Sequence, residues 1–311
     1  MIQLKQEELL KSRSYAATLR TAYKVYAVNF RAIIGHIWPY WLAMSVVAGW
    51  FIWQAMSLSA DHFSMAKLLW FIISGAVTAV AYVVFYGRTF MLFNPESQKW
   101  NTVRALKLLL WTFLLALVVM IVTVAAAVGG VFLLQEPAAI TPPAAEAAAV
   151  SPAFPIMKIF GVTMVTILIL SLALLPFLYV GMRYVADTSS RMHKMLWKGY
   201  LRGLRHWAYL FLTFLVAGIF IALSELFVTM PLGILSYCNQ LSALGQAMGD
   251  PSGLPWHFGL LVFVTAAATY LLLVLINIFF LFVAYYAYGS VEAKEQEYKA
   301  STLKKVEKVK S

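Results

Sequence analysis

The chain has 311 residues, of which 62% are apolar and 12% charged. That composition excludes a soluble globular domain, and no connection between the apolar stretches is long enough to hold a separate folded one. The formal net charge of +11 is divided among short pieces beside apolar stretches, where Lys and Arg face lipid headgroups, so it does not signal nucleic-acid binding.

Residues 1–36 form a basic leading segment. It has acidic residues and no short apolar core with a small-residue cleavage site, so no cleaved signal peptide is expected. At 100° per residue, Arg20, Lys24 and Arg31 fall within about 20° of Arg13 on a helix, and Tyr15, Leu19, Tyr23, Tyr26 and Phe30 form a second stripe. Such a helix suits the membrane interface, with aromatics between headgroups and cations at phosphate level.

Six apolar stretches follow, at about 37–58, 68–93, 108–134, 156–182, 207–230 and 256–289, each matching or exceeding the ~20 residues that cross ~30 Å of hydrocarbon. Before the third, a short basic helix is expected from Trp100 to Lys107. Before the fifth, Arg191, Lys194, Lys198, Arg202 and Arg205 cover about 80° of a helix, opposite Met192, Leu196, Trp197, Tyr200, Leu204 and Trp207. The predicted fold is therefore an all-α, polytopic membrane helix bundle of six transmembrane helices, with interfacial amphipathic helices before spans one, three and five. Pro176 predicts a kink near the end of span four.

Of the 24 Lys and Arg residues, 22 fall in alternate connections. Six precede the first stretch, four belong to the second connection (Arg88 at its edge included), six to the fourth and six to the tail, residues 290–311. Lys67 and Lys158 stand alone in the first and third, and the fifth has none. Lys and Arg are retained on the cytoplasmic side during insertion, which predicts cytoplasmic termini in a bacterial inner membrane. The third connection, Gln135 to Pro155, holds five prolines and reads as an extended outer loop. The fifth, 231–255, reads as an outer loop with room for a short surface helix from Leu235 to Met248. It contains Cys238, the single cysteine, which rules out an internal disulfide and a thiolate metal cage.

The chain also divides into three similar units, 14–93, 97–185 and 190–290, each a basic segment followed by two spans. Tyr23-Lys24-Val25-Tyr26 in the first corresponds to Trp197-Lys198-Gly199-Tyr200 in the third. The even spans end Tyr86-Gly87, Tyr179-Val180-Gly181 and Tyr288-Gly289.

Two polar residues inside spans are candidate sites. Glu225 is the only acid within a span, about 27 Å past Trp207 by helical rise, which predicts a position near the outer interface. Its carboxylate either reaches outer water or pairs with a neighbour such as Gln54 or His257, or else it lines an outer-facing cavity. Asn277, mid-span, either packs helices together or contacts a polar substrate. Motifs for enzymatic chemistry are absent. The histidines His36, His62, His193, His206 and His257 are split between the two faces, and there is no P-loop, G-x-S-x-G or H-E-x-x-H. No cofactor or metal is implied, and the reading leans away from an enzyme.

The stretch from Ala17 to Ile34, with Tyr23, Lys24, Asn29 and Phe30 in it, resembles the opening of bacterial six-span membrane families. One is the membrane domain attached to some glycerophosphodiester phosphodiesterases, and others are stand-alone integral membrane proteins of unknown function. The resemblance implies the six-span architecture. It does not carry over phosphodiesterase activity, because the sequence contains no such catalytic domain. The function expected is a non-enzymatic membrane component. It would contact anionic lipid or a protein partner, a second copy included, through Arg13, Arg20, Lys24, Arg31, Arg191, Lys194, Lys198, Arg202 and Arg205. The alternative is a small permease for an apolar or lipid-like solute.

Overall fold

The structure is a computed structural model that describes residues 9–58, 64–134, 153–189, 192–250 and 253–310. It is all-helical, with no strand among the described residues. The helices are α1 (Tyr15–Val28), α2 (Phe30–Leu58), α3 (Met65–Phe90), α4 (Gln98–Leu134), α5 (Ala153–Ala186), α6 (Met192–Arg205), α7 (Trp207–Ala247) and α8 (Phe258–Lys310). Six of them, α2 to α5 with α7 and α8, are long and apolar enough to cross a membrane, and the chain is a multi-pass membrane protein. Most of the Ala/Pro-rich third connection lies outside the described residues, as does Arg191.

Local chemistry sets the helix ends. Ser14 caps α1 by accepting from the amide of Ala17 at 3.3 Å. Asn29 ends it, its side-chain nitrogen returning to the Val25 carbonyl at 2.9 Å, and α2 starts one residue later. Ser64 caps α3 through the amide of Lys67 at 3.2 Å. The turn after α3 is closed by a reciprocal pair of buried amides. Asn94 and Asn101 exchange two hydrogen bonds of 2.8 Å, and Asn94 also donates to the Val185 carbonyl at 2.8 Å. That third bond fixes the turn to the end of α5.

The sequence reading places the ends of two spans differently from the structure. Span five does not stop at Pro231, because α7 runs on to Ala247 and includes the segment expected as a surface helix. Proline is tolerated here because the ring is exposed and a membrane helix can re-satisfy the freed backbone groups nearby. The stop comes at Gly249, whose φ of 90° only glycine adopts without strain. The amide of Asp250 then closes onto the Gly245 carbonyl at 3.0 Å. The basic segment before span three is likewise not separate, since Gln98 to Lys107 are the first turns of α4. Span four passes through Pro176 without a break in α5.

Leu9 and Lys11 lie against Gly289 and Ser290, so the N-terminal segment and the latter part of α8 share one side, called here the basic side. α1 is docked on the bundle there. Its buried residues are Thr18 and Ala22, and its tyrosine Tyr26 packs between Phe279 and Phe282 and donates to the Leu275 carbonyl at 3.1 Å. α2 meets α8 at a tight crossing where a Cβ on Gly49 would stand 2.9 Å from the Ala267 amide nitrogen.

Candidate functional site

On the basic side, a cavity of about 1070 Å³ lies between α3, α4, α5, α6 and α8. This is slightly above the ~300–1,000 Å³ typical of small-molecule sites. Its wall is apolar. Tyr82, Tyr86 and Phe90 come from α3, Leu108, Trp111 and Leu115 from α4, Leu174, Leu178 and Val185 from α5, and Phe280, Leu281 and Ala284 from α8. α6 covers the basic-side end with Met192, Leu196, Trp197 and Tyr200. At the other end lie Ser171 and Asn277. By helical rise Asn277 is about 18 Å from Gly289 and Ser171 about 18 Å from Arg183, slightly over half the ~30 Å of hydrocarbon. The cavity is thus one leaflet deep.

It also opens sideways. Trp111, Leu114, Val118, Leu178 and Trp197 all line it and are each more than a third exposed, Trp197 as much as 71%. These side chains form the jambs of an opening toward the surrounding bilayer.

The three Tyr/Gly span ends explain why the space exists. A Cβ on Gly87 would stand 2.7 Å from the Cα of Thr102, and one on Gly289 2.8 Å from the Cγ of Leu9, so at both ends the next segment presses against the glycine. At Gly181 the nearest atom would be the Leu108 Cδ2 at 3.9 Å. Two of the three equivalent seams are closed, and the third is the cavity.

α6 is held over the cavity from two directions. Gly199 and Gly203 bring its backbone close to α5, where added Cβ atoms would stand 3.0 Å from Val180 and 2.9 Å from Pro176. Tyr200 donates to the Ala173 carbonyl at 3.0 Å. On its other flank α6 meets the extension of α8 through charges. Arg202 lies 2.9 Å from Glu292, which also receives the Tyr179 hydroxyl at 2.5 Å and lies 3.6 Å from Arg183. Arg205 and His206 each reach Glu295 at 3.1 Å. Burial works against the charge on Arg202, but the Glu292 carboxylate and the Tyr179 hydroxyl together outweigh it and hold that guanidinium above its ordinary pKa.

The expected basic face is therefore only partly a surface. Arg20, Lys24 and Arg31 are exposed, as is Lys198. Arg202 and Arg205 are engaged by the α8 acids, and Arg13 donates to the Leu9 carbonyl at 3.1 Å while stacking on Tyr286. The side chain of Lys194 lies outside the described residues. Glu225 lies 18 residues past Trp207, about 27 Å by helical rise, and the 41-residue α7 continues beyond it past Pro231. Among the described residues no hydrogen bond or ion pair joins its carboxylate to Gln54 or His257. Asn277 bonds back to the Leu273 carbonyl of its own helix at 2.9 Å and lines the cavity, so it does not tie two helices together.

Sequence reasoning missed Glu292, Glu295 and Arg104. The two acids are spaced three residues apart, as are Arg202 and Arg205, and that matched spacing was the available signal. Arg104 is 2% exposed and donates to the carbonyls of Tyr184, Asp187 and Thr188, capping the end of α5. Nothing in a basic juxtamembrane segment marks one arginine as turned inward.

Comparison of the chain with protein-family models, curated proteins and solved structures finds no match.

Proposed function

We propose that this is a non-enzymatic membrane protein that takes a lipid-like molecule from the cytoplasmic leaflet into the cavity beneath α6, as a carrier or small permease does. The observation that supports this reading is a large apolar cavity, one leaflet deep and open to the bilayer, at the Gly181 span end, where the corresponding ends at Gly87 and Gly289 are closed. A cavity surrounded by hydrocarbon and walled by apolar side chains excludes water and small ions and accepts acyl chains. The exposed Arg20, Lys24 and Arg31 favour a subsidiary contact between α1 and anionic headgroups.

Gly181 provides the test, because a side chain there enters the cavity without meeting backbone. Gly181→Phe is expected to remove most of the lipid that copurifies, read by native mass spectrometry. Its thermal stability should hold or rise, since replacing a mid-helix glycine gains about 0.5–1 kcal/mol. Undiminished lipid in a folded Gly181→Phe protein would overturn the reading.

The orientation is tested separately. Cys238 is exposed, on the part of α7 remote from the basic side. With cytoplasmic termini, a membrane-impermeant maleimide should label it in intact spheroplasts. Labelling only after lysis, with denatured protein labelled in both cases, would reverse the orientation.

A further inference from the structure

We infer that the cavity selects a phospholipid with an acidic headgroup, and that Lys107 is the residue that reads it. This rests on the cavity being a lipid site. On α4, Lys107 falls within about 40° of Trp111, Leu114 and Val118, the stripe that lines the cavity and forms one side of its opening. It lies one turn nearer the basic side than Trp111, about 6 Å along the axis, where a headgroup would sit above chains filling the cavity. Lys107 is exposed and has no ion-pair partner among the described residues.

Among the described side chains, the other cations flanking the cavity are already committed. Arg104 is spent on the carbonyls at the end of α5, Arg183 and Arg202 on Glu292, and Arg205 on Glu295. Lys198 follows a lining residue in sequence, but on the helix it lies well over 90° from the mean direction of Leu196, Trp197 and Tyr200. Lys107, the uncommitted ammonium among the described side chains flanking the cavity, stands at the top of an apolar stripe with tryptophans on both sides of the opening, which matches an acidic headgroup over buried chains.

The experiment loads purified full-length protein with an equimolar mixture of phosphatidylglycerol and phosphatidylethanolamine, then reads bound lipid by native mass spectrometry. The wild type is expected to retain phosphatidylglycerol about fivefold more, the effect of ~1 kcal/mol for one cation near an anionic surface. Lys107→Gln should bind as much lipid in total but lose the preference. Lys99→Gln carries the same charge change on the same helix, about 80° away from Lys107, and should behave as wild type. A preference unchanged in Lys107→Gln, or lost equally in Lys99→Gln, would overturn the assignment while Gly181→Phe still shows lipid loss. If Gly181→Phe binds both lipids as wild type does, the cavity reading fails and this inference fails with it.

Discussion

Gly87→Val is expected to abolish folding of the bundle, whereas Gly181→Val, at the corresponding end of the next even span, is expected to be neutral or stabilising. The first Cβ would stand 2.7 Å from Thr102 Cα and 2.8 Å from its amide nitrogen. No rotamer change can relieve a clash with backbone, so α3 and α4 must separate. That movement would pull at the Asn94–Asn101 pair and at Arg104, both of which tie this corner to the end of α5. Overpacking alone costs ~1–3 kcal/mol, and each buried amide left unpaired adds ~1–3 kcal/mol. The sum reaches a substantial share of the ~5–15 kcal/mol that holds a typical domain together. The measurement is the yield of monodisperse protein in detergent and its thermal unfolding. Equal behaviour of the two valine variants would show that the seams at Gly87 and Gly181 do not differ as described.

Glu292→Gln is expected to cost about 2 kcal/mol and to loosen α6. The carboxylate is shared by Arg183, Arg202 and the Tyr179 hydroxyl, with side-chain exposures of only 20% and 22% for the arginines and 16% for the acid. Removing one partner of a buried pair costs ~3–5 kcal/mol because the other charge stays behind, and the partial exposure here reduces that. The double variant Glu292→Leu with Arg202→Met removes both charges of the closest pair and should recover part of the loss, a coupling of at least ~1 kcal/mol in a double-mutant cycle. Hydrogen exchange should rise in Met192–Arg205 of Glu292→Gln and stay near wild type in α2. A Gln variant as stable as the parent, with α6 equally protected, would show that these charges do not hold the helix in place.

The six spans were legible because hydrophobic length is a one-dimensional property. The end of α7 was not legible by the same rule. Pro231 reads as a terminator from sequence alone, but only packing shows that its ring is exposed and that the left-handed turn waits until Gly249. The basic helices were recognised as amphipathic, yet which of their cations face outward depends on partners 90 residues away. Arg202 looks the same as Lys198 until α8 brings Glu292 to it. The cavity was not legible at all. The sequence shows Tyr and Gly recurring at three span ends but not that two of these glycines are pressed by a neighbour and one is not. Asn277 stands out in the sequence by its polarity, and the structure relates it to a space rather than to a second helix.

α8 is a single helix of 53 residues, about 80 Å by helical rise, from Phe258 to Lys310. It touches the far end of the bundle at Gly259, where an added Cβ would stand 2.7 Å from the Trp53 ring nitrogen, and the basic side at Glu292 and Glu295. Between them lies the tight Gly49–Ala267 crossing, close to one end of the helix. The arm from Ala267 to Glu292 is about 38 Å, so a tilt of roughly 5° would sweep the acids by about 3 Å, the length of the ion pairs themselves. The arm from Ala267 to Gly259 is about 12 Å and would move by about 1 Å. A tilt about that crossing would therefore move Glu292 and Glu295, which hold α6, about three times as far as Gly259 beside Trp53.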